Sequence, residues 1–336
     1  MYNFSILAIR KTPWDIIGEN FTLLALALLS FGAIIFLVFL LASRASVKAQ
    51  EWLKYLVFLV PAVLLLLIGL IYPAIRTLIL SFMDKKSEEW VGFDNYVWAF
   101  TIPEINIVLV NTLIWVITVP FLSTAIGLSI AYMTDRMKRP AAIKSLIFMP
   151  MAISFVGAGV IWKFVYNYQP NANKPDIGLL SAIFKALGLT PPNWLLDVPL
   201  NTFLLIVVMI WIQTGFAMVV LSAALKNIPD EVVEAAMLDG ATPFRRFFLI
   251  SMPMIRATIV VVLTTIMIGT LKVFDIVRTM TGGNFQTNVI ANEMYSQAFR
   301  QMNYGQGSAL AIILFVAIIP IIVYNIRQLR LERTER

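Results

Sequence analysis

Residues 201–253 read NTFLLIVVMIWIQTGFAMVVLSAALKNIPDEVVEAAMLDGATPFRRFFLISMP. The first part, Asn201–Leu225, runs 25 residues without a charge. A helix rises ~1.5 Å per residue, so such a run crosses the ~30 Å hydrocarbon layer of a bilayer. The second part is of another kind. Pro229 suits a first helical position, and Asp230, Glu231 and Glu234 put negative charge near the positive end of a helix dipole. Gly240 gives the backbone freedom for a stop. Thr242 and Pro243 then restart a helix with a cap and a pre-set first residue. Phe244, Phe247 and Phe248 fall on one face of that helix, with Arg245 and Arg246 off it. A helix–turn–helix of this order, next to a membrane span, either lies on lipid or inserts into a groove of a partner.

Working outward, the pattern of apolar runs repeats. Six more segments qualify as spans: Phe21–Ala42, Tyr55–Phe82, Ile107–Thr134, Leu146–Tyr166, Ala257–Ile276 and Gly307–Ile326. Only 13% of the 336 residues are charged and mean hydropathy is +0.83. A soluble domain carries about 25% charged residues, so the chain reads as an all-α integral membrane protein of about seven spans. Residues 1–20 read as a polar or interfacial lead-in. The first apolar run starts too late and runs too long for a simple signal peptide.

Of the 26 Lys and Arg, 15 cluster in the loops of one side, among them Arg44, Lys48, Arg136, Lys144, Arg245 and Arg330; 8 lie on the other. The richer side is expected to be cytoplasmic, with the N-terminus outside and the C-terminus inside. The net charge of +7 forms no stripe for nucleic acid. Cysteine and histidine are both absent, which removes thiol nucleophiles, Cys/His metal sites and histidine acid–base chemistry. No residues are spaced as a carboxylate metal site. The expected outer loops, 83–106, 167–200 and 277–306, carry Trp90, Phe93, Tyr96, Trp98 and Trp194. Interfacial anchors and a docking surface both fit them. Pro61, Pro73, Pro120, Pro150 and Pro320 fall inside spans and tend to kink them.

The loop at 234–253 resembles the EAA loop of binding-protein-dependent ABC import permeases. Glu234-Ala235-Ala236, Gly240, Ile250 and Pro253 stand at that motif's spacings, with Met252 in place of its leucine. Leucine and methionine have similar volume and polarity. The resemblance runs from about Tyr55 to the C-terminus, and Val273-Phe274-Asp275 with Thr281-Gly282-Gly283 is similar to the end of the sixth helix in carbohydrate-uptake permeases. The extra first helix resembles the larger, maltose-type partner of such a pair. The outer stretch from Ile177-Gly178-Leu179-Leu180 to Trp194-Leu195 looks like that of alpha-glucoside permeases.

The resemblance implies a type I ABC importer transmembrane domain over 51–336, with a coupling loop at 226–253 and an N-terminal segment, 1–50, bearing an extra helix. It implies a multi-pass protein of the bacterial inner membrane. The expected partners are a second permease subunit, two ATPase subunits that hold ATP and Mg, an extracytoplasmic solute-binding protein, and a sugar as cargo. No phosphate-binding loop is present, so ATP hydrolysis would belong to the partners and the chain itself would be no enzyme. Glu234, Ala235, Ala236, Asp239, Gly240, Ile250 and Pro253 would couple to the ATPase. Trp211, Ile212, Gln213 and Phe216, with Thr270 and Val273, would contact the sugar. Lys272, Asp275 and Arg278, at i, i+3, i+6, would form either an ion-pair ladder or a gate. Two other classes compete. An ion-coupled secondary transporter would place carboxylates mid-membrane; Asp275 is the one clear carboxylate within a predicted span. Against a membrane enzyme stand the lack of His and Cys and of any paired acidic motif in a loop. Within the permease class, glycerol phosphate or another small polar solute is an alternative cargo.

Overall fold

The computed structural model describes residues 13–43, 59–135, 137, 140–169 and 177–334. Among these the chain is helical, with loops and one isolated bridge between Met83 and Trp90. It divides into two compact units, Met1–Arg76 and Thr77–Arg336.

The first unit holds α1, Pro13–Ser43, and most of α2, Leu59–Leu80. Helix α1 covers the expected span Phe21–Ala42, and α2 lies within the expected span Tyr55–Phe82. Helix α1 begins earlier than the reading of a lead-in over 1–20 allowed, because Pro13 opens the helix and nothing in 14–20 breaks it. The rest of that lead-in, 1–12, and residues 44–58, which hold the basic cluster of Arg44, Lys48 and Lys54 and the start of the expected span Tyr55–Phe82, lie outside the described residues.

The second unit contains α3 (Asp94–Thr101), α4 (Pro103–Thr134), α5 (Pro140–Phe148), α6 (Phe155–Val165), α7 (Leu179–Ala186) and α8 (Leu200–Lys226). It continues through α9 (Asp230–Leu238), α10 (Pro243–Met254), α11 (Arg256–Leu271), α12 (Asp275–Met280), α13 (Ile290–Tyr295) and α14 (Tyr304–Thr334). Helices α4, α8 and α14 run unbroken through the predicted spans.

Two predicted spans are not straight. The expected span Leu146–Tyr166 is a pair of helices bent by 102°. Pro150 tightens the chain into a 3₁₀ turn over Met149–Ala152, Ile153 is extended, and Ser154 caps α6 by accepting from the Gly157 amide at 3.1 Å. The expected span Ala257–Ile276 ends early, at Leu271; α10 and α11 meet at 71°. Past Leu271 the chain leaves the helical path, with Phe274 at φ −134°, before α12 starts.

The core of this unit is the packing of α4 on α8. Their buried residues recur at three- and four-residue steps: Val108, Asn111, Thr112, Trp115, Val119 on α4, and Leu205, Val208, Met209, Ile212 on α8. Between helices in lipid there is little hydrophobic driving force, so close packing and hydrogen bonds decide the contacts. At Gly127 a Cβ would lie 2.7 Å from Ala217 Cβ, so the two backbones touch there. At Gly215 it would lie 2.8 Å from the Ile147 carbonyl, which sets α5 against α8. Buried amides tie the other end. Asn111 donates to the carbonyls of Gln286 (2.6 Å) and Asn288 (3.0 Å), and Asn201 donates to that of Phe285 (2.8 Å). Asn111 thus faces a protein loop.

Candidate functional site

Both broken spans face α8, and a cavity of about 430 Å³ lies between them. Its wall is built from Met151, Ile153, Ser154 and Phe155 at the first break, Ile212, Gln213 and Phe216 on α8, and Thr265, Ile266 and Gly269 on α11. None of these ten residues is ionisable. The Gln213 side chain makes no hydrogen bond among the described residues, and its Nε2 is 3.9 Å from where a Cβ on Gly269 would stand. The amide is therefore free to bond a guest. Phe216 offers an aromatic face, and Ser154 and Thr265 add hydroxyls. Apolar walls with a few neutral polar groups suit a small neutral ligand.

Of the six residues expected to touch a sugar, Ile212, Gln213 and Phe216 come together here. The other three do not. Trp211 turns to the neighbouring side of α8 and packs edge-on against Trp162, ring centroids 5.6 Å apart. Thr270 is fully buried and donates to the Ile266 carbonyl at 2.8 Å. Val273 is buried in the core because the chain has already left α11. The wall at Met151–Phe155 was not foreseen, although a proline followed four residues later by a serine inside an apolar run marks a stop and a restart. Thr265 and Gly269 lie about one turn before the residues expected on that helix.

Lys272, Asp275 and Arg278 form no ion pair with one another among the described residues. The expected ladder assumed one continuous helix, and the break at Lys272–Phe274 removes it. Arg278 instead lies over the Tyr295 ring, 5.1 Å from its centroid.

The segment 226–253 is the second site. Helix α9 starts at Asp230 with Pro229 as its N-cap, one position earlier than expected for that proline. It ends at Asp239. Gly240 has φ +75°; its amide bonds to the Met237 carbonyl, and the Ala241 amide to that of Ala236, both at 3.0 Å. This is the paired 6→1 and 5→2 closure of a helix end, which needs the left-handed residue that glycine supplies. A Cβ at Gly240 would meet nothing within 4 Å, so conformation and not space demands glycine. Thr242 caps the next helix, accepting from the Arg245 amide at 3.4 Å. The two alanines differ: Ala235 is exposed and Ala236 is buried. Glu234, Asp239 and Pro253 are exposed as well. The phenylalanine stripe divides. Phe247 packs on Tyr132 at 4.5 Å, while Phe244, Phe248, Leu238 and Leu249 stay exposed, Leu238 at 89%. Ile250 lines a second cavity of about 280 Å³ under α9, together with Asp135, Lys226, Asp230, Val233, Ala236 and Arg246.

The model of the family described as binding-protein-dependent transport system inner membrane component matches residues 107–335. The chain is 48% identical over 279 residues to the osmoprotective compounds uptake permease protein GgtC of Synechocystis sp., covering 83% of this chain and all of that one. It is 47% identical over 285 residues to the alpha-glucoside transport system permease protein AglF of Rhizobium meliloti, covering 84% and 83% of the two chains. To the trehalose/maltose transport system permease protein MalF of Thermococcus litoralis it is 30% identical, covering 84% of this chain and 95% of that one. Its fold is that of a chain in a bacterial ABC transporter for import of the acidic polysaccharide alginate, with a TM-score of 0.72, 24% identity and coverage of 84% and 96%. A chain in a bacterial alginate ABC transporter in complex with an alginate pentasaccharide-bound periplasmic protein matches with a TM-score of 0.70, 24% identity and coverage of 82% and 93%.

Proposed function

The chain belongs to the binding-protein-dependent transport system inner membrane components, and on that premise we propose that it is a permease subunit of an ATP-driven importer for a neutral sugar or sugar-like solute, an alpha-glucoside or small oligosaccharide. The observation that carries this reading is the cavity beside α8. It has an aromatic face, a free amide and two hydroxyls, and no charge. Relatives named for alpha-glucosides and for trehalose and maltose support the same solute class. A phosphorylated or acidic cargo would ask for arginine or lysine in the wall, so glycerol phosphate fits less well. Membership of the family supports this reading over the ion-coupled and enzyme readings.

The remaining parts of the machine follow from that proposal. A second permease completes the pathway. Two ATPase subunits, holding ATP and Mg, dock against the exposed surface of α9 and α10. A solute-binding protein delivers cargo to the opposite side. The basic loops then face the cytoplasm, with the N-terminus outside. Glu234 offers its carboxylate to a basic group of the ATPase, and Gly240 fixes the turn that presents it. Residues 1–50 are an added segment and 51–336 the permease domain.

Proteoliposomes holding this chain with its partner permease, ATPases and binding protein test the reading. Labelled trehalose and maltose, with ATP on the ATPase side, are expected to accumulate, and an alginate oligosaccharide is not. Uptake that proceeds without ATP overturns the proposal.

A further inference from the structure

Helix α4 ends on a carboxylate. Asp135 is its C-cap, where the negative end of the helix dipole disfavours an acidic group. Residues that break a local rule mark a tertiary or functional demand. The demand here is a knot of three side chains from three helices. Lys144 of α5 donates to both the Asp135 carboxylate and the Ser222 hydroxyl of α8. Ser222 donates in turn to the carboxylate, at 3.1 and 3.4 Å. All three side chains are largely shielded from solvent. One turn back on α4, Tyr132 bonds through its hydroxyl to the Pro243 carbonyl at 3.0 Å and packs its ring on Phe247.

The position of the knot matters. Ser222 lies nine residues along α8 from Gln213, about 14 Å at 1.5 Å per residue. Lys144 lies on the limb that runs directly into the Met149–Ser154 break. Two of the three walls of the neutral cavity, α8 and the break after α5, therefore have their feet in the same knot, and move against the third, α11. The last turn of α4 joins that knot to the segment 243–247.

We propose that Asp135, with Lys144 and Ser222, is a positioning node that makes α4, α5 and α8 move as one body when the 226–253 segment is displaced, so that the cavity walls follow it. The inference rests on the permease reading above. Asp135 touches no solute; it acts through the helices that do. A chain of packed and hydrogen-bonded groups carries coupling between distant sites.

The native chain has no cysteine, which permits a direct readout. A Thr265→Cys reporter in the cavity wall is labelled with a polar maleimide in the assembled complex, once without nucleotide and once trapped with ATP and vanadate. With the knot intact, the labelling rate is expected to change at least about fivefold between the two states. Asp135→Asn is expected to abolish that change while the purified complex still hydrolyses ATP. The exchange Asp135→Lys with Lys144→Asp restores it. A structural role alone would lower the yield of complex and leave the labelling change per complex intact, and that result overturns the node. Should Asp135→Asn fail to assemble, Ser222→Ala decides: it keeps the ion pair, and an undiminished labelling change again overturns the proposal. No change in the complex with an intact knot would overturn the permease reading of the cavity, and the node with it.

Discussion

The segment 226–253 and the cavity beside α8 handle polarity in opposite ways. The segment displays its charges: Glu234 and Asp239 are exposed, and the same segment bears exposed apolar side chains at Leu238, Phe244 and Leu249. Charge beside exposed apolar surface suits a protein partner. The cavity holds no charge and offers only hydroxyls, one amide and an aromatic face to whatever enters. A group that must hand on force needs a strong and specific partner. A group that must release its guest needs many weak contacts. On the proposed reading, the contrast teaches that engagement of a partner and passage of a solute are separated in this chain by chemistry as well as by position.

The hardest test of that contrast strikes the segment. Glu234→Lys reverses the exposed charge, and Gly240→Asp puts a side chain where φ is +75°. Each is expected to lower solute-stimulated ATP hydrolysis at least about tenfold, with the protein still inserted in the membrane. Hydrolysis near the unaltered rate in both variants would erase the distinction between the two regions.

The packing that carries both sites comes next. Gly127→Leu forces a side chain into a space where even a Cβ sits 2.7 Å from Ala217. It is expected to destabilise the α4–α8 pair by about 1–3 kcal/mol, read as a lower midpoint in thermal unfolding in detergent. Segment and cavity should then fail together.

A milder change sharpens the cavity side. Gln213→Leu keeps the volume and removes the free amide. Apparent affinity for trehalose or maltose is expected to fall about three- to tenfold, with basal ATP hydrolysis unchanged. If hydrolysis falls in step, the cavity and the segment are not separable.

The smallest effect belongs to a turn outside both regions. Asp84 accepts from the backbone amides of Glu88 (2.7 Å) and Glu89 (3.2 Å), which hold its carboxyl below the ordinary value of 3.8. A lowered folded-state value means that the stabilisation is complete above about 3.8 and is lost as pH falls through the lower folded value. The protection of the Glu88 and Glu89 amides, taken as the slowing relative to the free-chain exchange rate at each pH, should therefore be constant near neutral pH and fall only in strong acid. A loss of that protection near neutral pH would show that the charge does not hold this turn.

Much of the segment was legible because its physics is local. A proline, an acidic first turn, a left-handed glycine and a Thr-Pro restart each act within a few residues, and the structure places them within one residue of the reading. The spans were legible as apolar length, yet two proved broken. The break at Pro150 and Ser154 had local marks. The early end of α11 at Leu271 had none, and the expected ladder of Lys272, Asp275 and Arg278 went with it. The cavity was half legible. Gln213 and Phe216 stood out as polar or aromatic groups on α8, but the sequence did not reveal that Trp211, next to Gln213, turns toward Trp162.

By itself the sequence determined that this chain crosses a membrane several times, where its ordered loop lies, and what family the spacing of that loop resembles. Length, charge and helix-end chemistry are properties of contiguous residues. Only the tertiary structure decided which face of each span meets protein, where two spans break, which groups line the cavity, and that Asp135, Lys144 and Ser222 meet. In a soluble helix one apolar stripe marks the buried face. In a helix with an apolar surface on every side, lipid and protein neighbours ask for the same residues. The choice between them is left to small contacts such as Gly127 on Ala217 and to hydrogen bonds between residues far apart in the chain.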